Sequence, residues 1–124
     1  QIVLGLYSLI PLAFAVRGLT GGMAIAGRTS TVSAAVENQY RYMSGVYVLV
    51  SFLLWYAIPK IERHFTLLAF ICAALVIGGL GRLVSHLTVG PGTSQQWAGM
   101  FIELGSPVLL AWLWLVVRTE GRAK

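Results

Sequence analysis

Four long runs of apolar residues, separated by short polar or glycine-rich segments, dominate the pattern of the chain. They cover residues 2–16, 38–58, 65–84 and 97–117. The last three runs each hold about 20 residues, which is enough for an α-helix to cross a hydrocarbon core about 30 Å thick. The pattern predicts an all-α integral membrane bundle of four transmembrane helices, forming a single domain over residues 1–124.

The first run is the shortest and has a second interpretation as a cleaved signal peptide. Residues 13–15 (AFA) or 24–26 (AIA) would then form the cleavage site. A signal peptide begins with a basic region, which this segment lacks. We therefore favour a transmembrane helix, and because Gln1 rather than Met stands first, the sequence leaves open whether residues precede it.

The connections between the runs differ in character. Residues 17–36 are rich in Gly, Ser and Thr and predict a long connection, whose apolar part at 23–26 would form an interfacial helix or a re-entrant turn. Pro59 and Lys60 predict the end of the second helix. Residues 90–94 (GPGTS) predict a loop before the fourth helix.

The composition excludes a soluble protein. Hydrophobic residues make up 57% of the chain and charged residues only 10%, against about 25% charged in soluble domains. Mean hydropathy is +0.79. A soluble protein of this size exposes too much surface to carry so few charges. The expected surroundings are membrane lipids and, in one hypothesis, other membrane-protein subunits. A nucleic-acid partner is not expected, because the net charge of +5 is not concentrated in one patch.

The basic residues predict the orientation in the membrane. The outer connections would hold only Arg17 and Arg28. The second connection and the C-terminal tail hold five others: Lys60, Arg63, Arg118, Arg122 and Lys124. Because Lys and Arg are retained on the cytoplasmic side, this asymmetry predicts that both termini are cytoplasmic.

Motifs for catalysis, cofactors and metals are not found. The chain has no Ser-His-Asp order and no His-x-x-x-His pair, and residues 78–81 (GGLG) lack the context of a phosphate-binding loop. With Ala74 they instead predict close helix packing. The one cysteine, Cys72, lies in an apolar run and predicts a buried structural thiol. We therefore assign no catalytic residue, no metal site and no cofactor.

Five ionisable residues within or beside helices two to four are the most informative feature. A lone charge at the bilayer centre costs about 2.5–3.5 kcal/mol, so each charge needs a partner or a wet cavity. With helices running alternately up and down, all five fall in the outer layer of the bundle. This polar network, with a ligand-binding or a structural role, would consist of Glu37, Arg41, Arg82, His86 and Glu103.

Spacing and a proline indicate how this network is connected. Glu37 and Arg41 stand four residues apart and share a helical face. Pro107 removes the hydrogen bond that would reach the carbonyl of Glu103, so an arginine could satisfy both that carbonyl and the carboxylate. The sequence predicts one hydrogen-bonded network that joins Arg82 and Glu103 to Arg41.

Three short motifs resemble a bacterial membrane-protein family, the domain of unknown function numbered four-three-four-five. The motifs are residues 37–45 (ENQYRYMSG), 79–85 (GLGRLVS) and 101–105 (FIELG). A looser resemblance is to DoxX-type four-helix proteins. The resemblance covers residues 37–117 and implies four helices in a bacterial inner membrane. It implies no activity, and it puts Arg41, Arg82 and Glu103 at signature positions.

Three functions remain open on these grounds. Small size and the lack of a catalytic set favour a non-enzymatic accessory or assembly subunit of a larger membrane complex. The first alternative is a binder or carrier of a small amphiphile, such as a quinone or lipid, in an outward-facing polar pocket, where Arg41 and Arg82 would suit an anionic or carbonyl-bearing head group. The second is a compact membrane enzyme that uses Glu103 as an acid or base.

Overall fold

Four α-helices make up most of the chain in a computed structural model, which describes residues 1–25, 33–90 and 92–122. These ranges contain no strand. All four helices are long and apolar enough to cross a membrane, which confirms the predicted all-α class with four transmembrane helices. The helices are α1 (Ile2–Ile25), α2 (Ala34–Ala57), α3 (Phe65–Val89) and α4 (Ser94–Arg122), with a 3₁₀ turn at Ile58–Lys60.

The helices extend beyond the apolar runs that predicted them. Residues 17–25, expected to belong to a connection, continue α1, and α2 already begins at Ala34. Of the predicted interfacial segment 23–26, residues 23–25 are helical and Ala26 lies outside the described residues. The physical reason is that an apolar run ends where polar side chains begin, whereas the backbone keeps its helical hydrogen bonds further, because unpaired backbone groups are costly near lipid.

The chain divides into two compact units, residues 1–59 and 60–124. Each unit is an antiparallel helical hairpin, α1 with α2 in the first and α3 with α4 in the second. That the whole chain forms a single domain stays a prediction.

Small residues bring α1 and α2 close together in the first hairpin. A Cβ on Gly18 would overlap the hydroxyl of Ser44. Ser8 and Ser51 are fully buried, and the indole of Trp55 donates a hydrogen bond of 2.8 Å to the hydroxyl of Ser8. Packing through small residues and interhelical hydrogen bonds is the usual way in which transmembrane helices associate.

The second hairpin is packed through a glycine and an apolar core. A Cβ on Gly79 would lie 2.9 Å from Cγ of Leu104, whereas one on Gly81 would meet nothing within 4 Å. The predicted glycine-rich packing face therefore depends on Gly79. Cys72 is buried, as predicted, with its Sγ 3.4 Å from the Ser106 hydroxyl. The other buried apolar residues of this hairpin are Leu68, Ile71, Met100 and Leu113.

A kink interrupts α1 near its end. Gly22 has φ 55° and ψ −149°, a conformation that essentially only glycine adopts. In a regular helix the N–H of the next residue would donate to the carbonyl of Leu19, and the ψ of Gly22 sets the direction of that N–H. The guanidinium of Arg41 on α2 donates to the same carbonyl.

Candidate functional site

A buried ion pair joins the two helices of the second hairpin. Nε of Arg82 on α3 donates to Oε2 of Glu103 on α4 over 2.9 Å. Glu103 is only 4% exposed, while the side chain of Arg82 is 34% exposed. Because an unpaired carboxylate is costly in such surroundings, the pair fixes the register of α3 against α4.

Two glycines lie against this pair. A Cβ on Gly78 would lie 3.8 Å from Oε2 of Glu103, and one on Gly99 would lie 3.8 Å from Cζ of Arg82, which are ordinary van der Waals distances. The guanidinium therefore lies over the backbone of α4 at Gly99, and the carboxylate lies against α3.

The carbonyl that Pro107 leaves free in α4 has a donor that was not predicted. Pro107 lies within α4, and the carbonyl of Glu103 accepts a hydrogen bond of 2.7 Å from the hydroxyl of Ser106. Serine does so because its hydroxyl bonds easily to the preceding turn of its own helix. That an arginine also satisfies this carbonyl stays a prediction.

One turn beyond Arg82, the ring of His86 packs edge-on against the indole of Trp97. The ring centroids are 4.4 Å apart with an interplanar angle of 74°. Nδ1 of His86 is buried and has no hydrogen-bond partner among the described residues. Since a buried polar atom without a partner costs about 1–3 kcal/mol, His86 keeps an unsatisfied hydrogen-bonding group beside Trp97.

A small, partly open cavity lies at this end of the hairpin. Its volume is about 100 Å³. It is lined by Arg82, Ser85 and His86 of α3, Gly90 and Gly92 of the connection, and Gln96, Trp97 and Met100 of α4. The lining combines hydrogen-bonding groups with flat apolar surfaces, as small-molecule sites do.

Reciprocal hydrogen bonds fix the start of α4 beside the cavity. The N–H of Gln96 donates to the hydroxyl of Thr93 over 3.3 Å. The N–H of Thr93 donates to Oε1 of Gln96 over 2.9 Å. This arrangement is a capping box, which holds the carboxamide of Gln96 in a fixed position on the cavity wall.

The first hairpin holds the other two predicted site residues. Nε of Arg41 donates to Oε1 of Glu37 over 2.8 Å, with the side chains 44% and 33% exposed. The guanidinium of Arg41 also donates to the carbonyl of Leu19, before the kink in α1. Glu37 and Arg41 therefore bind the end of α1 to the start of α2.

The five predicted residues thus form two groups, one in each hairpin. Arg82, His86 and Glu103 come together in the second hairpin, and Glu37 pairs with Arg41 in the first. A network joining the two groups stays a prediction.

Sequence reasoning missed four side chains that line the cavity, Ser85, Gln96, Trp97 and Met100. Of these, Gln96 could have been found, because Thr followed three residues later by Gln before an apolar run is the signature of a capping box.

The arrangement suits the binding of a small polar group. Within the described residues, no three His, Cys, Asp or Glu side chains come together to hold a metal ion. Arg82, His86 and Gln96 provide donor groups on two helices, close to an aromatic ring. Such a set can bind an acceptor-bearing head group and orient it.

Comparison with known proteins gives a family without an assigned activity. Neither the curated proteins nor the solved structures contain a match to the chain, and the resemblance to DoxX-type proteins is not shown. One family model matches residues 1–114 and therefore includes α1, which the three sequence motifs did not cover. The chain belongs to the family described as domain of unknown function (DUF4345).

Proposed function

We propose that this multi-pass membrane protein binds the polar head group of a small amphiphile in the cavity of the α3–α4 hairpin. The observation that carries the proposal is the cavity itself, where Arg82, His86 and Gln96 line one small space beside the ring of Trp97. This function was the first alternative to an accessory subunit on sequence grounds.

The size of the cavity supports a head group rather than a whole ligand. Pockets that enclose drug-sized ligands measure about 300–1,000 Å³, whereas this one measures about 100 Å³. The rest of a bound molecule would lie outside it. Large apolar side chains are exposed on the same part of the hairpin, among them Leu87, Val89 and Phe101. An apolar tail would find favourable surroundings along such surfaces and in the adjacent lipid.

The geometry is unfavourable for catalysis by Glu103 and gives no support to the role of an accessory subunit. An acid or base must reach its substrate, but the carboxylate of Glu103 is bonded to Arg82 and almost fully buried. The role of an accessory subunit stays a prediction, since no contact of the described residues favours it over ligand binding.

Filling the cavity should abolish ligand retention. We expect Ser85→Trp to place an indole in the space lined by Arg82 and Gln96, because Ser85 is a small residue of the cavity wall. The amount of small amphiphile that stays bound should fall to background. Native mass spectrometry of the protein, purified with its surrounding membrane, measures this amount.

Thr88→Trp is the matched control for this variant. Thr88 lies on the same helix, is exposed, and does not line the cavity, so it should leave retention unchanged. The proposal fails if the wild type carries no amphiphile, or if Ser85→Trp retains as much as Thr88→Trp. A protein that co-purifies in stoichiometric amount with all three forms would instead support the accessory role.

The proposal includes an orientation with both termini in the cytoplasm of a bacterial inner membrane. The cavity lies at the α3–α4 connection and would then face outward. The excess of Lys and Arg in the second connection and the C-terminal tail supports this orientation. The guanidinium of Arg118 lies 3.7 Å from the ring of Trp114, and basic and aromatic residues side by side are typical of a membrane interface.

Reporter fusions test the orientation directly. A cytoplasmic reporter fused after Lys124 should be active, and one inserted near Thr93 should be inactive. A periplasmic reporter should give the reverse pattern at both sites. Activity of the periplasmic reporter at Lys124 would contradict the orientation, and with it the outward-facing cavity.

A further inference from the structure

We infer that the head group is an uncharged planar ring bearing carbonyl oxygens, as in a quinone, and that His86 donates a hydrogen bond to it. The inference rests on the proposed function and names the chemical class of its ligand. It draws on the charge balance and the aromatic lining of the same cavity, and on the unpartnered nitrogen of His86 in its wall.

The charge balance of the cavity favours a neutral ligand. Among the described residues that line the cavity, Arg82 is the one arginine or lysine, and its charge is already neutralised by Glu103 at 2.9 Å. An anionic head group would bring a second negative charge to this pair in poorly solvating surroundings, which is unfavourable without a further cation. A carbonyl oxygen accepts hydrogen bonds without adding charge.

The aromatic lining of the cavity favours a flat ring. The rings of His86 and Trp97 meet edge to face in its wall, and Met100 adds a flexible thioether surface. Aromatic and methionine side chains pack well against a planar π-system. For scale, an engineered apolar cavity of about 150 Å³ holds a benzene molecule. The present cavity of about 100 Å³ is partly open, so a single ring could enter with its substituents outside.

His86 is the residue that a carbonyl would satisfy. Its ring lines the cavity, and its buried Nδ1 has no partner among the described residues, so a reorientation of the ring that brings this nitrogen to the cavity would let it donate to a carbonyl oxygen. Gln96 provides a second donor. The N–H of Thr93 bonds to its Oε1, which fixes the carboxamide and leaves the NH₂ group as its donor. Two donors on facing helices suit a ring that carries more than one carbonyl.

Equilibrium dialysis of the full chain in lipid nanodiscs tests the inference. The probe is radiolabelled decyl-benzoquinone, and decyl phosphate is the anionic probe with the same tail. Binding to empty nanodiscs is subtracted. We expect saturable binding of the quinone and none of the phosphate. His86→Phe should weaken quinone binding at least about fivefold, the effect of losing one hydrogen bond.

Two further variants separate loss of the donor from damage to the fold. His86→Gln keeps an N–H donor and should retain most of the binding. His64→Phe changes the other histidine of the chain, which precedes α3 at the opposite end of the hairpin, and should bind like the wild type. Equal quinone binding by the wild type and His86→Phe would overturn the assigned role of His86.

The probes also distinguish failure of the inference from failure of the proposed function. Saturable binding of decyl phosphate without quinone binding would overturn the neutral-ring inference, while head-group binding would stand. If neither probe binds saturably to the wild type, the proposed function fails and the inference fails with it.

Discussion

Replacing Glu103 with alanine should destabilise the α3–α4 hairpin by about 3 kcal/mol and strongly reduce the yield of folded protein in detergent. The change leaves the guanidinium of Arg82 without the carboxylate that it contacts at 2.9 Å. Removing one partner of a buried pair typically costs about 3–5 kcal/mol. We expect the lower end, because 34% of the Arg82 side chain is not covered by protein. Thermal unfolding in detergent, followed by circular dichroism, measures the loss.

The double variant decides whether the two charges act as a pair. Glu103→Ala combined with Arg82→Ala should be less destabilising than the sum of the two single changes, because no lone charge remains. Glu37→Ala is a matched control in a more exposed pair, and it should cost less than about 1 kcal/mol. If the losses of stability of the two single variants add up to that of the double variant, the two charges do not act as a pair. A Glu37→Ala variant as unstable as Glu103→Ala would also contradict this account.

The second large effect is expected at the closest approach of α3 and α4. Gly79→Ala adds a Cβ that would lie 2.9 Å from Cγ and 3.0 Å from Cδ2 of Leu104. Cγ of leucine is not the free end of its side chain, so α4 must move or Leu104 must change rotamer. Overpacking of this kind costs about 1–3 kcal/mol, and a lower melting temperature in detergent would show it.

Gly81→Ala is the internal standard for this comparison. It lies on the same helix, and its Cβ would meet nothing within 4 Å. Because alanine has a higher helix propensity than glycine, Gly81→Ala should be neutral or slightly stabilising. If both variants melt at the same temperature, Gly79 is not a close contact between the helices.

The number of helices could be predicted from the sequence, whereas their ends could not. About 20 apolar residues in a row indicate a transmembrane helix almost directly, because the bilayer thickness fixes the required length. The helix ends depend on backbone hydrogen bonds that hydropathy does not measure. For this reason residues 17–25, which contain Arg17, Thr20 and three glycines, looked like a connection and proved to be helical on both sides of the kink at Gly22.

The candidate site was predictable in its charges but not in its cavity. A glutamate and an arginine inside apolar runs must find partners, and Arg82 and Glu103 do pair. The cavity depends on how Gln96 and Met100 on α4 face Ser85 on α3, which requires the register of one helix against the other. Spacing within a helix gives no information about that register, and neither does the proline, whose freed carbonyl found a donor in Ser106.

The two ion pairs each lie within a single hairpin, and this bears on how the chain enters the membrane. Glu37 and Arg41 belong to the same helix, and Arg82 and Glu103 belong to consecutive helices. Polytopic proteins are inserted from the N-terminus during synthesis, and a lone arginine or glutamate would resist transfer into lipid. A nascent α3–α4 hairpin can neutralise Arg82 as soon as Glu103 has been synthesised. Insertion of the second hairpin would therefore need no charge from the first, and a nascent chain that ends between Arg82 and Glu103 would be the stage least ready to leave the translocation channel.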